Sequence, residues 1–304
     1  MTEINDVSAY ARLKRACDES GSLLCCGLDI PWEKVPEWYK KQCNVLPTET
    51  EFPVLMLTDL RTAMARVECH ASYIEKIVTA VAPGVCAYKP NLAFFGGVAG
   101  SLVLFRVVRA IHQLYPSKLV IGDGKWGDID NTQQQNAANC FNEFGFDGAT
   151  VNPYMGYDAI KPFASRGDKL AFVLALTSNP GSKDLQYVRS RSQHHLYSTV
   201  VRKVTGWNKD HNLGIVVGAT HPKELKGIRQ RVGKMPILIP GIGAQQGDLE
   251  ASVCYGVDED GENAIINIAR AIIFASLGED FAEAAGVKAV WYSDEINKFR
   301  QEGA

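Results

Sequence analysis

The segment Asp123-Gly-Lys125-Trp-Gly-Asp128 places two carboxylates and one ammonium within six residues. In extended backbone, residues two apart point to one face, so Asp123 and Lys125 can address the same space. Lys89 ends a separate apolar run and can reach Asp123 from a neighbouring strand. The alternation Lys89, Asp123, Lys125, Asp128 would compensate itself in a dry site, and flanking carboxylates would keep the Lys125 ammonium charged despite burial. A positioned ammonium of this kind can stabilise developing negative charge and give up a proton. On spacing alone, an ion-pair network that merely fixes a loop fits equally well.

A second signal is independent of the first. The glycine-rich stretch GIGAQQGD at 241–248 is followed by NIARAII at 267–273. Glycines allow close backbone approach to an anion, helix N-terminal amides point at it, and Arg270 can grip it with two parallel hydrogen bonds. A GIG loop is a weak sign. The same loop before an arginine that follows a later apolar run is a stronger one, and it points to a phosphate.

Both signals sit at the ends of short apolar runs. Eight such runs occur, at 23–28, 85–89, 119–123, 148–151, 170–176, 214–217, 237–239 and 264–267. They are apolar at successive positions rather than alternating, as strands covered on both faces are. Helical periodicity lies between them. Residues 57–81 carry an apolar stripe of Leu60, Met64, Val67, Tyr73, Ile74, Ile77 and Val78. Residues 98–114 carry Leu102, Leu104, Phe105, Val108, Ile111 and Leu114, and Pro222 opens a helix through Leu225 and Ile228. Eight strands alternating with helices predict an α/β (β/α)8 TIM barrel in a single domain over 1–304. A doubly wound sheet is the alternative, but no GxGxxG follows the first run. In such a barrel the loops after the strands meet at one face. There they would gather Asp29, Lys89 with Asn91, Asp123 with Lys125 and Asp128, Asn152, Thr177 with Ser178, the loop from Pro240 to Gln245, and Arg270. One connection is too long. Residues 31–55 hold four prolines and two tryptophans, and are expected to be a surface insertion packed on neighbouring helices, or else part of a lid or dimer contact.

Composition narrows the class. With 32 basic and 34 acidic residues, the net charge of −2 gives no reason to expect a nucleic-acid partner or an anionic membrane. The eight cysteines form no CxxC pair and the six histidines no HExxH pattern, so reduced thiols and no zinc site are expected. The first twenty residues mix both charges and lack the apolar core of a secretory signal, and no run of 18 apolar residues suggests a membrane span. The cytoplasm is the expected compartment.

Taken together, the motifs resemble the orotidine 5′-monophosphate decarboxylase family along nearly the whole chain. The matching pieces are CCGLD (25–29), YKPNLAFF (88–95), IGDGKWGDIDNT (121–132), TVNPYMG (150–156), LTSNPGS (176–182), VVGAT (216–220), IPGIGAQQGD (239–248) and ARAII (269–273). The D-x-K-x-x-D-I-x-x-T element combined with PGIGAQ carries most of the specificity, and KPN, NPYMG and SNPG resemble one subgroup. The resemblance implies a cofactor-free, metal-free conversion of orotidine monophosphate to UMP and carbon dioxide, in a homodimer with shared active sites. It implies Lys125 as proton donor to C6 of the pyrimidine and Asp123 against the substrate carboxylate. Lys89 and Asp128 would complete the charge network. It further implies that Asp128, Ile129 and Thr132 enter from the partner subunit. Asp29, Lys89 and Thr132 would hold the ribose, with Asn91 beside them, and Ser178 with Thr177 would face the pyrimidine amide. Gln245, Arg270 and the Ala269 amide would take the phosphate, with Pro240 opening the loop that closes on it. The rival readings are a magnesium-dependent sugar-phosphate barrel with a similar D-x-K-x-x-D element, and a non-catalytic nucleotide sensor.

Overall fold

The computed structural model describes residues 8–45, 57–243 and 247–303. Its centre is a closed barrel of eight parallel strands in the order β1 to β8. These are β1 Leu24–Gly27, β2 Ala87–Lys89, β3 Leu119–Trp126, β4 Gly148–Val151, β5 Leu170–Leu176, β6 Leu213–Val217, β7 Ile237–Pro240 and β8 Ala264–Ile268. All eight apolar runs are therefore strands. The largest difference is in β3, which continues to Trp126 instead of stopping at Asp123. Ring closure comes from β1 pairing with β8, Cys25 opposite Asn267.

The helices are α1 Ala9–Ser20, α2 Glu37–Gln42, α3 Leu57–Val81, α4 Gly97–Leu114, α5 Asp130–Ala138, α6 Tyr157–Ala164, α7 Ser182–Leu185, α8 Leu196–Trp207, α9 Pro222–Val232, α10 Leu249–Gly256, α11 Arg270–Ile273 and α12 Phe281–Gly303. In α3 the expected stripe is buried at Val67, Tyr73, Ile74, Ile77 and Val78, while Met64 is half exposed; the Leu60 side chain lies outside the described set. In α4 the buried face is Val103, Leu104, Val107, Val108 and Ile111, and Leu102, Phe105 and Leu114 face outward. At 100° per residue, 104, 107, 108 and 111 share one side, whereas 102 and 105 turn away from it. By length and composition α4 could cross a membrane, but its polar side is tied to α3, where Arg106 bonds Glu75 at 2.8 and 2.9 Å and also pairs with Glu68.

Two apolar layers hold the fold. The outer one lies between barrel and helices. The inner one fills the barrel with Cys25, Ala87, Leu119, Ile121, Leu170, Phe172, Val216, Leu238 and Ile265. Strands buried on both sides account for the unbroken apolar runs. The charged N-terminal stretch supplies the inner layer's floor. Ala9, Leu13 and Ala16, spaced four and three apart, put one face of α1 into the barrel's lower end. Ser8 caps this helix and Gly21, with φ +58°, ends it. Tyr10 donates to the Leu213 carbonyl and Arg12 pairs with the buried Asp147. Burial opposes ionisation of Asp147, but His112, Arg12 and Lys169 outweigh it and lower its pKa to about 2.

Within the long first connection, residues 46–55 lie outside the described residues. The preceding part packs as an aromatic embellishment. Tyr39 meets Tyr73 of α3 at 5.1 Å, and Trp38 meets Phe281 of α12 at 6.1 Å between ring centroids. Phe281 itself stacks on Tyr73 at 4.3 Å.

Phe172 is fully buried in the inner layer, and a Cβ on Gly214 of the next strand would lie 2.6 Å from its ring. Phe172→Ala is expected to lower unfolding free energy by about 3–5 kcal/mol, read from urea denaturation. A loss under about 1 kcal/mol would contradict this close packing.

Candidate active site

The upper ends of the strands surround a cavity of about 390 Å³. One arc of its wall is polar and charged: Asp29 after β1, Lys89 on β2, Asp123 and Lys125 on β3, Thr150 on β4 and Asn267 on β8. The opposite arc is apolar, with Leu174, Val216 and Leu238 from β5, β6 and β7. Pro240, Gly241 and Ile242 continue the rim toward Ala269 and Arg270. Inner-layer residues alternate with outward-facing ones. Val216 and Leu238 close the inner layer against the cavity, and Lys89, Asp123, Leu174, Pro240 and Asn267, each two residues beyond an inner-layer residue, line the opening.

Asp123 is the centre of the charged arc. Its Oδ2 accepts from Lys89 Nζ at 2.7 Å, and its Oδ1 accepts from Lys125 Nζ at 2.7 Å and from Thr150 Oγ1 at 2.8 Å. Lys89 and Asp123 are 4% and 8% exposed, whereas the Lys125 side chain is 48% exposed. The buried cation is thus Lys89, not Lys125 as the sequence suggests. For Asp123, burial raises the cost of ionisation, but Lys89 and Lys125 outweigh it and hold the carboxyl well below the ordinary range. For Lys89, burial pulls down, and Asp123 and Asp29 more than compensate, so its ammonium is held above the usual value. Asp29 goes the other way: its burial outweighs Lys89, and its pKa is raised.

Asp123 and Lys125 do share the cavity, but not through extended backbone. Lys125 has φ +48°, in the left-handed region that side chains other than glycine seldom occupy. A bulge between Gly122 and Trp126 produces this turn. Gly124 permits it, since a Cβ there would lie 2.6 Å from the Trp126 ring. Trp126 is turned onto Phe163 of α6, 5.6 Å between centroids.

Asp128 does not join the network within its own chain. Its Oδ1 accepts from the Ile129 N–H at 2.8 Å, and neither Asp128, Ile129 nor Thr132 lines the cavity. β3 ends at Trp126, Asp128 and Ile129 lie in the connection to α5, and Thr132 is in the first turn of that helix. Ile129 is 45% exposed.

The remaining expected residues divide by how their polar groups are used. Asn91 lines the cavity, donates its N–H to Asp29 Oδ1 at 3.3 Å and spends its Oδ1 on Ala93. Thr177 also lines it, but its hydroxyl donates to Asn179 at 2.7 Å and accepts from Gln186 at 2.7 Å, so it serves the loop's shape. Ser178 faces the cavity beside Gly218, where a Cβ would come within 2.7 Å of it. Arg270 lines the cavity and has no side-chain partner among the described residues. The loop after β7 is pinched at its base, where Gly247 donates to the Gly241 carbonyl at 3.1 Å. Gly247 has no room for a side chain, since a Cβ would lie 2.5 Å from Ala219. Gln245 lies outside the described residues.

The sequence reading missed three polar members of the wall, Thr150, Asn179 and Asn267. Thr150 and Asn267 lie inside strands, where a β-branched residue or a lone amide reads as part of the strand; Asn179 follows Ser178 on the loop after β5. Asn267 is 7% exposed and its Oδ1 has no hydrogen-bond partner among the described residues.

With this geometry established, comparison with known proteins is decisive. Residues 22–285 match the family described as "Orotidine 5'-phosphate decarboxylase / HUMPS family". The chain belongs to that family. It is 38% identical over 290 residues to the orotidine 5′-phosphate decarboxylase of Ralstonia pickettii, covering 95% of this chain and 98% of that one. It is 39% identical over 295 residues to the enzyme of that name from Dehalococcoides mccartyi, covering 95% and 97%. Among solved structures, Leishmania donovani OMP decarboxylase superposes with a TM-score of 0.74 at 32% identity, covering 97% of this chain and 99% of that one.

The ion pair fixes a pH window for stability. A carboxyl whose folded pKa is lowered, as for Asp123, adds stability above its unfolded value near 3.9 and loses it as pH falls. An ammonium whose folded pKa is raised, as for Lys89, adds stability below about 10.4 and loses it as pH rises. The stability difference between wild type and Asp123→Asn is therefore expected to be flat from about pH 5 to 9 and to shrink below about pH 4. Denaturation midpoints across pH measure it. A difference that widened on acidification would contradict the ion pairing.

Proposed function

We propose that this protein converts orotidine 5′-monophosphate to UMP and carbon dioxide, without a metal or organic cofactor. The observation that carries the reading is one cavity with the Lys89–Asp123–Lys125 triad on one arc and, on its rim, Arg270, which has no side-chain partner among the described residues. Loss of carbon dioxide from C6 leaves a lone pair in the ring plane, orthogonal to the π system, so delocalisation does not help. Fixed charge must lower the barrier, each ~1.36 kcal/mol giving tenfold in rate. Lys125 leans on Asp123 yet is half exposed to the cavity, so its ammonium can stabilise the carbanion and then protonate C6. Asp123 is assigned a place against the departing carboxylate, with Lys89 paired to its Oδ2. Asp29, Lys89 and Asn91 are assigned to the ribose, and Ser178, on the loop that Thr177 braces, to the pyrimidine amide. Arg270, the Ala269 amide, Gln245 and the loop opening at Pro240 are assigned to the phosphate. Gripping that remote group supplies binding energy for orienting the ring.

Asp128, Ile129 and Thr132 are assigned to the neighbouring site of a homodimer. Two features support this. These residues do not line their own chain's cavity, and apolar side chains stand exposed on the adjoining connections: Ile129 after β3 at 45%, and Tyr154 and Met155 after β4 at 81% and 49%. Such exposure of large apolar residues suits a surface that another subunit covers. The eight free thiols suit the reducing cytoplasm, where we place the enzyme.

Loss of orotidine monophosphate followed by absorbance, with and without a chelator, tests the activity. Wild type is expected to be insensitive to chelation, and Lys125→Ala to lose more than about a thousandfold in kcat, about 4 kcal/mol. Near-wild-type turnover in that variant would end the mechanism. A metal requirement would favour the magnesium-dependent alternative.

Sharing of sites is tested by mixing. Asp128→Ala and Lys125→Ala proteins, each inactive, are expected to regain about a quarter of wild-type activity at equal ratio, because half the dimers are mixed and each has one intact site. No recovery, with subunit exchange demonstrated, would place Asp128 in its own chain's site.

A further inference from the structure

Thr150 occupies the middle of the β3–β4 bulge. The strands are paired at Gly122 with Ala149 and next at Trp126 with Val151. Asp123, Gly124 and Lys125 therefore stand opposite one residue of β4, Thr150. The left-handed turn at Lys125 takes its N–H out of the regular ladder. Thr150 Oγ1 accepts that N–H at 3.0 Å and donates its own proton to Asp123 Oδ1 at 2.8 Å. The residue is 2% exposed and reaches the cavity wall.

We propose that Thr150 is a positioning residue for the decarboxylation, holding the Lys125 backbone and the Asp123 carboxylate in one fixed geometry. The inference rests on the reading of Asp123 and Lys125 as the catalytic pair. A hydroxyl has one proton to give. Because the Lys125 amide occupies an acceptor side, that proton goes to Asp123. The hydroxyl thus joins two groups that must keep their spacing during the reaction. When the Lys125 ammonium turns from Asp123 Oδ1 toward C6, the hydroxyl stays on Oδ1, so Asp123 remains aimed and charged with Lys89 on its other oxygen. A valine would fill the same space while leaving both the Lys125 amide and Asp123 Oδ1 one partner short.

The test compares wild type, Thr150→Val, Thr150→Ser and Lys125→Ala in steady-state kinetics with orotidine monophosphate, alongside UMP binding by calorimetry. Thr150→Val is expected to lose about a hundredfold in kcat, as small misplacements of reacting groups do. Its KM and its affinity for UMP should stay within about threefold of wild type. Thr150→Ser, which keeps the hydroxyl, should recover kcat to within about fivefold of wild type. If the valine variant does not fold, by circular dichroism, Thr150→Ala carries the same expectation. A kcat near wild type without the hydroxyl, equal losses in the valine and serine variants, or a loss confined to KM would overturn the proposal. Lys125→Ala separates the two levels. Turnover in that variant removes the catalytic pair itself, whereas an inactive Lys125→Ala beside a fully active Thr150→Val removes only the role of Thr150.

Discussion

A carboxylate can remain charged in a nearly closed protein interior only if its oxygens are well supplied with donors, and the upper half of this barrel is arranged around that requirement. Asp123 takes one ammonium on Oδ2 and an ammonium and a hydroxyl on Oδ1. Each donor comes from a different place: Lys89 from β2, Lys125 from the bulge in β3, Thr150 from β4. Three consecutive strands must keep register for the carboxylate to be satisfied. Stability and the proposed chemistry therefore share one interaction, and a shift of one strand by one residue would leave a buried charge unpaired.

The barrel meets this requirement by separating its two ends. The lower end is sealed by α1, whose Ala9, Leu13 and Ala16 complete an apolar plug with Phe172 and its neighbours. The upper end is left open, and the strands themselves contribute polar side chains on one arc only. Its apolar arc of Leu174, Val216 and Leu238 faces the charged arc across the cavity, a dry wall opposite charges that water would otherwise screen. The two lysines differ in burial because they differ in backbone. Lys89 extends from an ordinary strand into the wall, while the bulge lifts Lys125 toward the opening. One is thereby a buried counter-ion, and the other, though paired with Asp123, is half exposed.

The rim extends the same division outward. Loops that complete the cavity are braced by hydrogen bonds that do not face it, as Gln186 braces Thr177 and the Gly247–Gly241 bond closes the loop after β7. Loops after β3 and β4 carry Ile129, Tyr154 and Met155 into solvent instead. A (β/α)8 enzyme changes its rim far more readily than its strands, because the rim is not needed to close the barrel.

Local sequence determined the eight strands, the helical segments between them and the polar residues at the strand ends, because strand burial and chain punctuation are properties of neighbouring residues. Asp29, Lys89, Asp123, Lys125, Ser178 and Arg270 were legible for that reason: each ends or follows an apolar run. Tertiary structure decided what depends on residues far apart in the chain. It bent β3 so that Lys125 is left-handed, made Lys89 the buried ammonium, brought Thr150 and Asn267 into the wall, turned α4's Leu102 and Phe105 outward, and set Asp128 apart from its own cavity. A bulge depends on the strand across from it, and burial on everything that packs around a side chain, so neither is written in the spacing of one segment.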